Sequence, residues 1–494
     1  MKHYNKLAEH YKKIANFNHL AAVSGWDQAV MMPAGGNASR SQAMAELCVH
    51  IHQLSTAENL GELFADAEAE DLDIIKSASL HEMKAQWQKA TVLPQELVQA
   101  KSLAGSKCEH AWRAQRSEND WQGFAKNFAD VVLLSKEEAL IRAEAGNKTP
   151  YDAMLDLYEP GTSCAQLDGI FGNLKTWLPD LTQQIQQRQS RQHFIKPTEL
   201  YATKQQNELG LAMMKLLEFD FNHGRLDISS HPFCGGTSQD VRITTRYDEM
   251  DFVQSLMGIV HETGHARYEQ GLPKNLKGLP VGEARSMGIH ESQSLFFEMQ
   301  LGRSKEFIEQ LVPLALKHFP DNNPAVFEAA NLQKLYTRVN PGLIRVDADE
   351  VTYPAHVILR YEIERDLMNG QINYADIPEL WDVKMQQYLG LSTAGNYKNG
   401  CMQDIHWTDG SFGYFPSYTL GAMYAAQFMS AMKKQVDVAN CIAQQKLTPI
   451  FNWLDQNIWR KASLLSTTEL VKQATGEPLN VSLYKKHLEE RYLT

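Results

Sequence analysis

Apolar residues recur at helical spacing along most of the chain. From residue 1 to about 160 they fall three or four positions apart with charged residues between them, as Leu7, Tyr11 and Ile14 do. This spacing gives a helix one apolar face. The pattern predicts further helices at 165–190, 203–217, 248–271, 283–302, 304–318, 324–338, 347–369, 376–389, 420–432 and 436–475. The fold class is therefore predicted to be mainly α.

Residues 218–247 depart from this periodicity. The stretches 219–228 and 241–247 are rich in β-branched and aromatic residues, with glycines as turn signals. They predict a small antiparallel β ribbon beside the helix at 248–271. No linker rich in Pro, Ser or Gly divides the 494 residues, so we expect one multi-helix body with a cleft.

Composition narrows the function classes. A net charge of −11 argues against binding of nucleic acid through a basic face. No run approaches the length of about 18 apolar residues that a membrane span needs, and no apolar signal segment opens the chain. Its 6 cysteines are far apart and form no C-x-x-C. We therefore expect reduced thiols in a cytoplasmic protein without membrane contact.

The segment from His261 to His265 matches H-E-x-x-H. Helical residues four apart differ by only about 40° in direction, so both imidazoles can face one metal ion. Glu262 lies beside that face, within reach of a water on the metal. Gly264 is a poor helix former and suggests close approach by another backbone or by substrate.

A catalytic zinc usually has three protein ligands, and two histidines with a glutamate are one standard set. The candidates downstream are Glu283, His290, Glu291 and Glu298. Spacing alone leaves the third ligand open. Glu283 could interact with the dipole of the next helix, and Glu298 could support a ligand or be solvated. His290 points about 100° away from Glu291, which indicates support or packing.

Six motifs, complete and in order, resemble those of the carboxypeptidase Taq family of metallocarboxypeptidases. They are HPF at 231–233, DxRxT at 240–244, HExxH at 261–265, HES/GQ at 290–293, IRxxAD at 344–349 and GxxQDxHW at 400–407. The resemblance extends over essentially the whole chain. It implies that Glu291 joins His261 and His265 as a metal ligand.

The resemblance also implies a single domain over 1–494 with a deep central groove, and a homodimer. Residues 1–200 would form one groove wall and 201–494 the catalytic part. The implied activity is a zinc-dependent carboxypeptidase acting on peptides with a free C-terminus, with Glu262 as general base and acid. One Zn²⁺ per chain is expected, and Co²⁺ can replace zinc at such ligands.

An exopeptidase must recognise the terminal carboxylate, and an arginine guanidinium binds a carboxylate through two parallel hydrogen bonds. Arg345 and Arg242 are the candidates. The alternative for each is an ion pair within its own motif, with Asp349 or Asp240 respectively.

The aromatic loop supplies candidate donors for the oxyanion, namely His406, Tyr414 and Tyr418. The alternative is that these rings only pack the loop. His231 could contact substrate or cap the ribbon. Two rival functions stay open: an endo-acting zinc oligopeptidase, and a non-catalytic helical scaffold with a relict metal site.

Overall fold

Helices make up most of the chain, as the periodicity predicted. The computed structural model describes residues 1–229 and 232–494. Within that part, nine α-helices precede the sheet: α1 (Lys2–Val30), α2 (Asn37–Ser55), α3 (Leu60–Glu68), α4 (Ile74–Thr91), α5 (Gln95–Ser117), α6 (Trp121–Gly146), α7 (Pro150–Leu155), α8 (Cys164–Gln189) and α9 (Thr203–Leu216).

Eleven α-helices follow the sheet within the described residues: α10 (Phe252–Gly271), α11 (Met287–Leu295), α12 (Lys305–His318), α13 (Ala329–Tyr336), α14 (Tyr353–Met368), α15 (Ile377–Leu389), α16 (Pro416–Met432), α17 (Val438–Ala443), α18 (Thr448–Asn457), α19 (Thr467–Thr475) and α20 (Val481–Tyr492). A π-helical turn at Phe296–Gly302 continues α11. Short 3₁₀ turns lie at Ala34–Gly36, Lys274–Leu276, Pro280–Gly282, Pro324–Phe327, Arg345–Asp347, Tyr374–Asp376 and Trp459–Lys461.

The β element is a three-stranded mixed sheet in the order β1-β3-β2, made of β1 (Gly224–Ile228), β2 (Cys234–Thr237) and β3 (Asp240–Thr245). The predicted antiparallel ribbon exists as β2 and β3. The two stretches that the sequence indicated as strands, now β1 and β3, pair in parallel instead. After β1 the chain first forms β2 at the far edge of the sheet. It then returns as β3, which lies in the centre between β1 and β2. Gly235 and Gly236, two of the glycines expected to mark turns, lie inside β2 instead.

The sheet fixes the direction of α10. Ile259 and Ala266 on this helix are buried in one cluster with Val241 and Ile243 of β3. The opposite face of α10 carries His261 and is only half buried. Packing one helix face on the sheet therefore turns the histidine face toward the remaining helices.

Helix α11 approaches α10 at Gly264. A Cβ at this position would lie 2.5 Å from the carbonyl oxygen of Gln293 and 2.7 Å from the Cα of Ser294. Both distances are shorter than van der Waals contact, so only glycine permits this approach. The close backbone approach expected at Gly264 is confirmed, and its partner is α11.

Two sequence expectations need correction near the C-terminus. The single helix expected at 436–475 is three helices, because Pro449 lies in the first turn of α18 and Ala462 has a positive φ of 45°. Helix α20 was not predicted. Pro354 lies in the first turn of α14, where proline is tolerated. None of the described helices is both long and apolar enough to cross a membrane.

Gly264→Ala is expected to destabilise the protein and to separate α11 from α10. Overpacking of this kind costs about 1–3 kcal/mol, more than the gain of about 1 kcal/mol in helix propensity. The matched control is Gly258→Ala in the same helix, where a Cβ would meet no atom within 4 Å. Thermal unfolding of the metal-free variants should show a lower midpoint for Gly264→Ala and a higher one for Gly258→Ala. A rise for both would contradict the close approach.

Candidate active site

Three side chains from two helices form a metal-ligand cluster. Helix α10 presents His261 and His265, α11 presents Glu291, and their ligand atoms all lie within 4.8 Å of one another. His265 Nε2 is 3.5 Å from Glu291 Oε2. Ligands about 2.1 Å from a zinc ion at tetrahedral angles lie about 3.4 Å apart. The set therefore fits a zinc or cobalt ion.

Helix α16 supports the glutamate ligand from the other side. A Cβ at Gly421 would lie 2.7 Å from Cγ of Glu291. The absence of a side chain at Gly421 gives the glutamate room between α11 and α16. Two glycines on two helices thus allow α11 to lie close enough to both neighbours.

Each histidine is oriented by a partner on its other ring nitrogen. His261 Nδ1 lies 2.9 Å from Glu298 Oε2. Glu298 in turn accepts a 2.6 Å hydrogen bond from Arg303. Such a carboxylate accepts a hydrogen bond from the Nδ1–H and leaves Nε2 free for a metal. The alternative that Glu298 is solvated is therefore wrong, because it supports a ligand.

A second chain of contacts supports His265. Its Nδ1 lies 2.6 Å from Nδ1 of His290, whose Nε2 lies 2.9 Å from Glu269. If the Nε2–H of His290 donates a hydrogen bond to Glu269, the Nδ1 of His290 accepts a hydrogen bond from the Nδ1–H of His265. The Nε2 of His265 is then bare and able to bind a metal. His290 is thus a supporting residue, as its direction on the helix indicated.

Charge at the cluster favours a cation. Burial acts to lower the pKa of His261, but Glu298, Glu291 and Glu262 outweigh it and raise the pKa to about 10. Burial, with the neighbouring histidines, lowers the pKa of His265 to about 4. The carboxylates therefore create a negative potential that a divalent ion would neutralise.

Glu262 is a buried carboxylate beside the ligand cluster. Its Oε2 has no hydrogen-bond partner among the described residues. Burial raises its pKa to about 7. A buried carboxylate oxygen without a partner is costly unless a ligand or water completes it. The position beside the ligand cluster fits a carboxylate that binds a reacting water.

Arg345 is held in a second polar cluster. Its Nε donates to Asp404 over 2.7 Å and its Nη1 to the hydroxyl of Tyr353 over 3.0 Å. Its backbone N–H donates to Gln403. Arg360 lies 2.5 Å from the other oxygen of Asp404. The two buried arginines thus share Asp404, and the buried Glu364 offsets part of the charge of Arg360, so Arg345 is the one better suited to an anion.

The expected alternative partner of Arg345, Asp349, lies elsewhere. It accepts hydrogen bonds from the backbone of Asn340, Val351 and Thr352 and so fixes the turn before α14. The sequence alternative of an ion pair between Arg345 and Asp349 is wrong. Asp404, from the GxxQDxHW motif, takes that place.

Aromatic residues line the interval between the two clusters. The Tyr418 ring lies 5.3 Å from that of Tyr414 and 5.9 Å from that of Tyr353. Arg345 lies over the Tyr418 ring at 5.2 Å. Burial raises the pKa of all three tyrosines, and Glu291 adds to the effect. Each tyrosine therefore keeps its hydroxyl proton near neutral pH and can donate it.

His406 lies at the arginine end of this interval. Its ring stacks on Tyr414 at 5.4 Å, and its Nδ1 is 4.0 Å from Asp404. Burial and the positive charge of Arg345 lower the pKa of His406 to about 3, so the ring is neutral. Within the described part of the chain, no contact joins His406 to a metal ligand. The structure therefore places it beside Asp404, the partner of Arg345.

Arg242 forms the ion pair that the sequence offered as its alternative. Its Nε and Nη2 bind Asp240 at 2.9 and 2.8 Å, and its guanidinium lies 4.4 Å from the Trp26 ring. This pairing leaves Arg242 less free than Arg345 to bind a substrate carboxylate. His231, the remaining candidate, lies outside the described residues.

Sequence reasoning missed several supporting residues. Tyr353, Arg360 and Glu269 carry no motif signal that the search used. Glu159 was also missed: its buried carboxylate accepts hydrogen bonds from the Gly288 backbone and from the Ser417 hydroxyl. It thereby ties the segment after α7 to the starts of α11 and α16. Only contacts between distant segments reveal these roles.

A helical body with a His-His-Glu cluster and a buried glutamate beside it defines the class of HExxH metallopeptidases. A family model described as "Carboxypeptidase Taq (M32) metallopeptidase" matches residues 6–492. The chain belongs to this family and is a metallocarboxypeptidase, a hydrolase of peptides. The resemblance of its six motifs is thereby confirmed.

Known relatives match over nearly their full length. Thermostable carboxypeptidase 1 of Thermus thermophilus is 36% identical over 99% of this chain and 98% of its own. Carboxypeptidase 1 of Bacillus subtilis is 33% identical over 97% and 96%. The solved structure of Trypanosoma cruzi metallocarboxypeptidase 1 shares 44% identity, covers 100% of both chains and has a TM-score of 0.98.

Glu298→Gln is expected to weaken metal binding by about 10- to 100-fold, because a neutral amide accepts a weaker hydrogen bond from the Nδ1–H of His261 than a carboxylate does. Competition titration with a zinc chelator measures this change. Glu309→Gln on the exposed face of α12 is the matched control and should bind metal as the unmodified protein does. Equal affinity for both variants would contradict the supporting role of Glu298.

Proposed function

We propose that the protein is a zinc carboxypeptidase that removes single residues from the free C-terminus of peptides. This proposal is supported by one observation: the metal-ligand cluster and the arginine cluster carry opposite charges, and tyrosines lie between them. The His261–His265–Glu291 cluster attracts a cation, whereas the guanidinium of Arg345 attracts an anion. A bound peptide would place its last peptide carbonyl at the metal-ligand cluster and its terminal carboxylate at Arg345.

His261, His265 and Glu291 would hold one Zn²⁺ per chain, and Co²⁺ suits the same ligands. When bound, the ion would lower the pKa of a water molecule and polarise the scissile carbonyl. Glu262 accepts the proton of the attacking water on its unpartnered oxygen and then delivers it to the leaving amine. No serine or cysteine nucleophile is needed.

Arg345 orients the substrate through the terminal carboxylate, and its contacts with Asp404 and Tyr353 keep the guanidinium in place. The hydroxyl of Tyr418 or Tyr414 donates a hydrogen bond to the oxyanion of the scissile carbonyl. Neutral His406 can donate to the carboxylate beside Arg345. Arg242 would contact the peptide farther from the metal cluster, and His231 stays a predicted substrate-binding residue.

The whole chain would form this catalytic unit, with residues 1–200 as one wall of a deep groove and 201–494 as the catalytic part. Contacts between the two parts support this arrangement. Trp112 on α5 donates to the Met402 carbonyl, and α5 passes the loop of His406 at Gly105, where a Cβ would lie 3.2 Å from Asp409. The homodimer and the cytoplasmic location stay predictions.

Glu262→Gln is expected to lower kcat by at least 10²- to 10⁴-fold, because the amide cannot accept the proton of water. Zinc content should stay at one ion per chain, since Glu262 is not a ligand. Elemental analysis and release of free amino acid from a peptide measure the two quantities. Unchanged hydrolysis with zinc bound would remove Glu262 from the mechanism, and no hydrolysis by the unmodified protein would favour a relict metal site.

Arg345→Lys is expected to raise KM about 10- to 100-fold for a peptide with a free C-terminus, because lysine keeps the charge but loses the two parallel hydrogen bonds. Arg242→Lys is the matched variant and should change KM much less, since Asp240 already occupies that guanidinium. The measurement compares a peptide with its C-terminal amide. Equal cleavage of the amide by the unmodified protein would indicate an endo-acting oligopeptidase instead.

A further inference from the structure

Helix α20 contacts the segment that carries Arg345 through one buried residue, Glu350. The Glu350 carboxylate accepts hydrogen bonds from His487 at 2.7 Å, Arg491 at 2.9 Å and Tyr492 at 2.9 Å. The backbone carbonyl of Glu350 accepts a fourth from Tyr484 at 3.1 Å. Every one of these donors lies on α20. Glu350 follows Arg345 by five residues, so α20 fixes the segment from which Arg345 extends.

The same helix contacts the support of the metal cluster. The His487 nitrogen that binds Glu350 also lies 3.1 Å from the side-chain amide of Gln300, inside the π-helical turn at Phe296–Gly302. That turn carries Glu298, which orients His261. Helix α20 thus contacts the segments that support both functional clusters.

Arg303 connects the two supports electrostatically. It binds Glu298 directly, and it also lies within the fields of Glu350 and Tyr492. Glu350 is buried, with 4% of its surface exposed, and water therefore screens these charges little. A change in the charge of Glu350 would act on the Arg345 segment and on the Glu298 support together.

We propose that α20, through Glu350 and His487, sets the spacing between Arg345 and the metal ligands and so restricts cleavage to the last peptide bond. The inference rests on the proposed function, in which Arg345 binds the terminal carboxylate. A spacing of one residue between carboxylate and scissile carbonyl selects that bond, and a displacement of about 1 Å is enough to lower reactivity by about 10²-fold. Glu350, His487 and Tyr492 are positioning residues in this scheme.

The test uses the full-length zinc enzyme with Glu350→Gln, which removes the charge and retains the shape. We expect KM for a peptide with a free C-terminus to rise about tenfold, with zinc content unchanged. We also expect mass spectrometry to show dipeptide release at a larger fraction of total product. Tyr492→Phe removes one hydrogen bond and should shift the same ratio in the same direction by a smaller factor.

Glu490→Gln on the exposed side of α20 is the matched control and should leave KM and the product ratio unchanged. If Glu350→Gln does not fold, Tyr492→Phe decides the test. Loss of activity with no change in KM or product ratio would show a purely structural role and overturn the proposal. The unmodified enzyme, tested on the free and amidated peptides, reports separately whether the proposed function itself fails.

Discussion

The close packing of α11 between α10 and α16 is the constraint on which the site depends. A HExxH helix by itself offers two ligands, and the third must come from another helix at a distance of a few ångströms. Gly264 and Gly421 remove the side chains that would keep these helices apart. The metal cluster is therefore a consequence of backbone packing as much as of ligand chemistry.

The distribution of charge follows from this packing. Glu262 is buried and Glu291 and Glu298 are partly buried around two histidines, whereas the buried Arg345 and Arg360 share Asp404, with Glu364 near Arg360. Neither arrangement would be stable as isolated charges in an apolar interior. Each is stabilised by its own supporting contacts and, under the proposed function, by the charge of a metal ion or of a substrate carboxylate. Between the two clusters the tyrosines provide uncharged donors, so the polarity of the cleft matches that of a peptide end.

The supports of the site come from distant parts of the chain. Glu159 reaches α11 and α16 from the N-terminal half, Asp404 binds Arg345 from the aromatic loop, and α20 holds Glu350 from the C-terminal end. These contacts rely on charged or hydrogen-bonded groups that are buried. Such groups hold a fixed geometry because losing one partner leaves the other without compensation.

Local patterns were sufficient to predict most of the helices, because apolar periodicity depends only on neighbouring residues. The HExxH spacing likewise predicted that His261 and His265 share a face, and the motifs identified the family. Strand pairing was not predictable, because β1 and β3 become parallel neighbours only after β2 has formed on the far side. Helix α20 was missed because its sequence is short and polar, and its helical state is stabilised by contacts with Glu350 and the core.

The amino-acid sequence by itself determined the ligand types, the helix that presents two of them and the family to which the chain belongs. Only the tertiary structure decided that Asp404, rather than Asp349, pairs with Arg345, that Asp240 occupies Arg242, and that Glu298 supports His261. The physical reason is range. Helical periodicity and motif spacing act within a few residues, whereas ion pairs and close helix contacts join residues that the chain separates by tens to hundreds of positions.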